Sequence, residues 1–195
     1  MRMPWQKQFD EAAALDKAME AFWARGYEAT SVQDLVEAMG LHRGSIYAAF
    51  GGKRSLFMKA LRHYETRRRR AWLDALCQRH GPRAAILSVF KGAIAEALSD
   101  RGRAGCFLVN TAVELSPHDG EIARAVAKGL SETEAFFRDR IVEGRARREI
   151  PPRVDPDHTA RALLGLLTGL RVLARSRPER PLLEALAEQA AALLE

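Results

Sequence analysis

RGSIYAAF, residues 43–50, sets one arginine, one serine and one tyrosine around only two large apolar anchors, Ile46 and Phe50. His42 stands just before it, and Lys53-Arg54 follow a Gly51-Gly52 pair. Guanidinium, hydroxyl, phenol and ammonium are directional hydrogen-bond donors. A stretch so rich in donors and so poor in core-formers suits an enzyme loop, a phosphate-binding loop or a surface that reads something outside the protein.

The charge distribution narrows that choice. Net charge is +6 and the sequence pI about 9.7. Residues 40–70 hold nine Lys/Arg against Glu65 alone, whereas residues 1–39 hold four bases against seven acids. The remaining 125 residues are nearly balanced, with 18 bases and 17 acids. Positive charge focused on one short stretch suits an anionic surface, nucleic acid first and anionic lipid second. For RRRR at 67–70 taken alone, the plainer expectation is a solvated basic helix face.

Catalytic signatures are missing. No GxxxxGK[ST] occurs, no GxGxxG follows a strand, and GxSxG and HExxH are absent. GGK at 51–53 lacks the spacing of a phosphate-binding loop. His118-Asp119 are adjacent, so on a helix they point about 100° apart. A helix cap by Asp119 explains them more simply. Cys77 and Cys106 form no CxxC pair, so neither a zinc site nor a disulfide framework is expected. No metal or cofactor is expected either, and the chain reads as no enzyme.

The elements that must position the donors are helices. Ala, Leu, Arg and Glu dominate, and no stretch alternates as a strand does. A first helix is expected from Gln6 to Arg25, stopped by Gly26. Ser31 and Asp34 form a capping box for a short second helix with Val32, Leu35, Val36 and Met39 on one face. Gly40 breaks it, and a third short helix begins near His42 or Arg43, with Leu41, Ile46 and Phe50 turned inward. Two short helices around a Gly-containing turn describe a helix-turn-helix. A long helix over about 53–79 follows, then helices over 82–98, 106–115, 119–148 and 155–175, and one opened by Pro181. This is an all-α chain of about nine helices. The first twenty residues lack the apolar block of a signal peptide, and no apolar run could span a bilayer, so a cytoplasmic protein is expected. A membrane-surface role would need an exposed apolar wedge; Trp72, Leu73 and Leu76 read instead as core contacts of the long helix.

T30-S31-V32-x-D34-L35, then G40-L41-x-x-G44-S45-I46-Y47-x-x-F50-x-x-K53-x-x-L56-F57, resembles the helix-turn-helix of TetR-type transcriptional regulators over residues 6–64. GCFLVNTAVELSPHD at 105–119 resembles a recurrent stretch in one broad subgroup. The resemblance implies residues 1–52 as a DNA-binding domain to which 53–64 contribute, and 53–195 as an effector-binding and dimerisation domain. It implies a homodimer on a palindromic double-stranded operator, a repressor released by a small molecule. Arg43 would then fork onto guanine O6 and N7, and Gly44 would let the helix sit deep. Ser45 would touch a base or phosphate and Tyr47 a phosphate. Thr30 or Ser31, with Lys53 and Arg54, would clamp flanking phosphates, and His42 belongs to the same surface. Ala48 and Ala49 stand where the family often has an aromatic or histidine, which places base readout heavily on Arg43.

The body offers looser expectations. Trp72, Leu76, Phe90, Phe107, Phe136, Phe137 and Leu166 form a candidate effector pocket, with Asn110 and Glu114 as polar orienters. Leu163, Leu166, Leu167, Leu170, Leu182, Leu186 and Leu193 are candidates for a four-helix dimer interface. Cys106 is expected at a helix start just after Arg101 and Arg103, an environment that favours a thiolate. Some TetR-type regulators that resemble this chain around GCFLVN respond to electrophiles, so an electrophile-sensing repressor is the alternative reading, with Cys77, within the Trp72-Leu73-Leu76 packing pattern, as the poorer candidate and internal control.

Overall fold

The computed structural model describes residues 9–99 and 104–195. Those residues form helices and no strand. A compact head ends at Arg68 and a compact body begins at Arg69.

In the head, α1 (Glu11–Arg25) begins where Asp10 accepts from the Ala12 and Ala13 amides at 2.9 and 3.3 Å. The expected start at Gln6 lies outside the described residues. Gly26, at φ 89°, ends α1. α2 (Val32–Met39) carries the expected capping box: Ser31 Oγ accepts from the Asp34 amide at 3.0 Å, and Asp34 Oδ2 accepts from the Ser31 amide at 2.8 Å. Gly40, left-handed at φ 66°, closes α2 and turns the chain into α3 (Arg43–Phe50). α4 (Lys53–His63) follows a second left-handed turn at Gly51. Met19, Phe22, Leu35, Ile46, Phe50, Leu56 and Phe57 fill the head's interior. The Phe22 and Phe57 rings meet edge to face at 5.1 Å.

The long helix expected over 53–79 is not uniform. α4 runs into a π-helical stretch, Tyr64–Arg70, and then into α5 (Ala71–Arg79). This widened turn, a geometry that often sits at functional junctions, spans the point where head gives way to body. Of RRRR, expected as a solvated face, Arg67, Arg68 and Arg70 are exposed, and only Arg69 departs from that expectation. Arg68 bonds Glu20 at 3.1 Å and lies over Trp23. Arg69, only 10% exposed, bonds Glu132 at 2.5 Å and Thr133 at 3.1 Å, and Arg70 bonds the other Glu132 oxygen at 2.7 Å. Burial pushes the Glu132 carboxyl up, but the bonds from Arg70 and Arg69 outweigh it and hold it below its ordinary value.

The body holds α6 (Pro82–Ala97), α7 (Phe107–Glu114), α8 (Gly120–Ala146), α9 (Pro156–Ser176) and α10 (Arg180–Ala192). With 53–79 counted as one, nine helices stand among the described residues. Asp119 caps α8 through the Glu121 and Ile122 amides, and Asp155 caps α9 through His158 at 2.7 Å. The body core gathers Leu73, Leu76, Ile86, Val89, Phe90, Phe137, Ile141, Leu163, Leu170 and Leu183. No helix among the described residues is long and apolar enough to cross a membrane.

Candidate nucleic-acid interface

α3 is eight residues long and fully buries only Ile46 and Phe50, one turn apart. Everything between them is free to face outward. Arg43 and Gly44 are exposed, Ser45 is half-buried, and Tyr47 is 44% exposed. Arg43 Cζ lies 5.6 Å from the Tyr47 ring centroid, so the two largest outward side chains stand together. His42 is the exposed residue preceding the helix, and its side chain caps nothing. A methyl on Gly44 would meet nothing within 4 Å. The glycine is therefore not required by the protein's own packing. Gly52 is required: at φ 115° it lies against the Tyr47 ring, where a methyl would be 3.5 Å from Cε1. Ala48 is exposed and Ala49 half-buried, and neither side chain offers a hydrogen bond.

The flanking donors are placed less uniformly than the spacing suggested. Thr30 is fully buried, and its hydroxyl donates to the Gly26 carbonyl at 2.6 Å. The side chain ties the α1–α2 connection together and does not reach the surface, so of the Thr30/Ser31 pair only Ser31 is presented. Ser31 is exposed, with its hydroxyl 2.6 Å from Asp34 Oδ2. Arg25 also bonds Asp34, through Oδ1. The bond from the Ser31 hydroxyl, then that from its amide, with Arg25 adding, lower the Asp34 carboxyl to about 2. Lys53 Nζ sits 4.3 Å over the Tyr27 ring and 3.5 Å from the Glu28 carbonyl. Arg54 is exposed beside it. Sequence reasoning passed over two cations here. Arg25, at the end of α1, pairs with Asp34, and Lys59, inside the basic stretch, donates to the Ala49 carbonyl at 3.3 Å. Neither stood out, because only the folded chain brings their partners near.

The arrangement can form hydrogen bonds and ion pairs along an anionic polymer. Among the described residues no cluster of three or more His, Cys, Asp or Glu could hold a metal ion.

The body's candidate residues fall differently. Phe90 and Phe137 are fully buried and stack at 6.1 Å, Phe107 is 2% exposed, and Leu76 is buried with them. All four side chains are buried, and neither of the two clefts described below is lined by them. Trp72, Phe136 and Leu166 pack half-buried against that core, and Gly92 is small because a methyl there would lie 2.7 Å from the Trp72 ring. Asn110 donates to the Ala104 carbonyl at 2.7 Å and so holds its own loop, while Glu114 is half-buried. Two clefts open elsewhere. One, about 620 Å³, runs between α6 and α10 along Leu87, Ile94, Leu98, Ala187 and Ala191; the other, about 450 Å³, holds His80, Arg83, Ser88 and Glu149. Lys91 lines both.

Of the proposed interface leucines, Leu163 and Leu170 are fully buried within the body and belong to its own core. Leu166, Leu167, Leu182 and Leu186 are half-buried, and Leu193 is exposed. Val172 on α9, 47% exposed, joins them, beside open glycines at 165 and 169. Cys106 is the half-buried residue at the start of α7, and Cys77 is half-buried too. Arg101 and Arg103 lie outside the described residues.

Comparisons with known proteins converge on one group. Residues 14–60 match the model for bacterial regulatory proteins of the tetR family, and residues 82–189 match the tetracyclin repressor-like C-terminal domain. The transcriptional repressor ComR of Escherichia coli (strain K12) is 38% identical over 171 residues, 87% of this chain and 81% of ComR. The uncharacterized regulator YezE of Bacillus subtilis (strain 168) is 37% identical over 132 residues, 67% of this chain and 68% of YezE. A cysteine-substituted CifR, a TetR family transcriptional regulator, has been solved with 26-base-pair operator DNA. It is 33% identical, with a TM-score of 0.84 over 97% of this chain and 98% of that one.

Proposed function

Because the chain belongs to the tetR family of bacterial regulatory proteins, we propose that it represses transcription by binding a palindromic operator as a homodimer and lets go on binding a small molecule. The exposed donor face of α3 carries the reading: Arg43, Ser45 and Tyr47 around an open Gly44, on a helix anchored by two residues. Arg43 reads a guanine edge; Tyr47, Ser31, Lys53 and Arg54 hold phosphates. In the free protein Lys53 rests on Tyr27 and swings off that ring to reach the backbone. Residues 1–52, with 53–64, form the DNA-binding part, and 53–195 bind effector and partner. The half-buried leucines of α9 and α10, with Val172, pair with their copies. Effector binding in the body acts through the helix common to both parts, changing the spacing of two recognition helices that must meet successive major grooves about 34 Å apart. The protein works in the cytoplasm.

Sequencing genomic fragments retained by the purified protein, followed by gel shift on the recovered site, tests this. A palindrome bound tightly over random duplex is the expected result; retention without sequence preference contradicts it. Sedimentation should give about twice 21.7 kDa.

A second trigger is favoured by one observation: Cys106 stands at the start of α7 with its side chain partly accessible. A small electrophile would then release DNA from wild type and Cys77→Ser but not from Cys106→Ser. Release of all three, or of none, removes this trigger.

A further inference from the structure

We infer that Lys59 is the positioning residue that fixes the roll of the recognition helix. The inference rests on reading α3 as the helix that enters the groove. Two observations point to it. Lys59 Nζ donates to the Ala49 carbonyl at 3.3 Å, and it lies 5.2 Å from the Phe50 ring centroid.

The argument begins with how little holds α3. Ile46 and Phe50, its two buried side chains, are four residues apart and so lie on one line along the helix. Two anchors on a line fix a position and an axis, but leave rotation about that axis weakly opposed. Arg43 and Tyr47 point outward from the same short helix, so a small rotation swings a guanidinium through several ångströms at the base edge. A third attachment off that line is needed, and Lys59 supplies one. Its ammonium meets a carbonyl in the last turn, where helix carbonyls lack amide partners and the macrodipole is negative. The Phe50 face beneath it adds a cation–π contact to the same helix end.

In the free protein Lys53 makes a similar pair of contacts at the other end of the motif, which it gives up for a phosphate on binding. It lies over the Tyr27 ring and donates to the Glu28 carbonyl, in the connection that leads into α2. The two lysines are six residues apart on α4, so they leave it about 120° apart. Of the two, only Lys59 keeps its hold, on the exit of α3, when DNA is bound. Lys53 stands at the outer end of that helix, next to exposed Arg54. Lys59 is directed at the protein's own backbone.

The test compares wild type, Lys59→Met and Lys59→Arg on operator and random duplexes, over a salt series, with thermal melting alongside. Methionine keeps the apolar stem over Phe50 and removes the donor; arginine keeps donor and charge. Lys59→Met should lower the operator-to-random affinity ratio about tenfold, the scale of one charged hydrogen bond. Binding to random duplex and its salt slope should hold, and Lys59→Arg should recover the ratio. Equal weakening on both duplexes with a salt slope reduced by about 0.9 per half-site would make Lys59 a phosphate contact and overturn the inference. An unchanged ratio, or a loss that tracks melting temperature alone and is not recovered by arginine, overturns it as well. Should Lys59→Met fail to fold, Lys59→Leu, which also removes the donor, replaces it under the same criteria. Wild type without operator preference would instead remove the reading of α3 on which the inference rests.

Discussion

α3 and α6 are both regular helices, yet they bury their residues in opposite proportion. α3 fully buries two of eight residues, whereas α6 buries eight of sixteen, among them Ile86, Val89 and Phe90. α6 is held by apolar packing on several sides, so its residues answer to stability first. α3 is held at a few points and presents the rest, so its residues answer to what they touch outside the protein. Substitutions should therefore separate: those in α6 move folding, and those on the outer face of α3 move DNA affinity at constant folding.

The largest effect should come from α6. Phe90→Ala removes a fully buried ring stacked on Phe137 and should destabilise the protein by about 3–5 kcal/mol. Denaturant melts measure it directly. A loss below about 1 kcal/mol would mean that the site collapses or was loosely packed, and would weaken the contrast between the helices. Arg43→Ala is the counterpart. It should leave the melt unchanged and cost about 1–3 kcal/mol of operator binding per half-site, with discrimination relaxed at one symmetric guanine pair. Equal losses on operator and random duplex would reassign Arg43 from base to phosphate.

That contrast also explains how far the sequence could be read. The head was legible because its signals are local and directional. Ser31 with Asp34, and glycines where a left-handed turn must follow a helix, each name a position. The body's signals are apolar spacings that core, pocket and interface share. Phe90 and Trp72 look alike in a helical pattern, and only packing shows one enclosed and the other at the margin. The same limit hid Leu163 and Leu170, which face the chain's own core. Thr30 failed for another reason: a hydroxyl beside a helix start can point out to solvent or back to Gly26, and sequence does not choose between them. Lys59 and the π-helical arginines needed partners distant in sequence, Ala49 and Glu132, to acquire meaning.

Gly44 sharpens the comparison at smaller energy. In a helix interior glycine costs roughly 0.5–1 kcal/mol relative to alanine; Gly44 is the second residue of α3, where the cost is at the low end of that range, and a methyl would meet nothing. Gly44→Ala should therefore raise stability by about that amount while weakening operator binding, because the methyl lies where the helix approaches the groove. Opposite signs in melt and gel shift are the signature. A variant that is more stable and binds equally well would show that the open face of Gly44 never meets DNA.

The smallest effect tests the cap on which α2, and through Gly40 α3, is built. The Ser31 hydroxyl and amide, with Arg25, hold the Asp34 carboxyl down to about 2, below its ordinary 3.8. A carboxyl lowered in the folded state binds protons more weakly there than in the unfolded chain. Its stabilisation is thus complete above about pH 4 and fades as pH falls through 2. Asp34→Asn cannot ionise, so the melting difference between wild type and Asp34→Asn should be constant from pH 7 to about 4 and shrink below that. Other carboxylates, Glu132 among them, titrate in both proteins and cancel in the difference. The group is solvent-accessible and salt-screened, so the gap should be modest and should narrow further in high salt. A gap that stays level down to pH 2 would show that Asp34 holds the start of α2 by its hydrogen-bonding geometry and not by its charge.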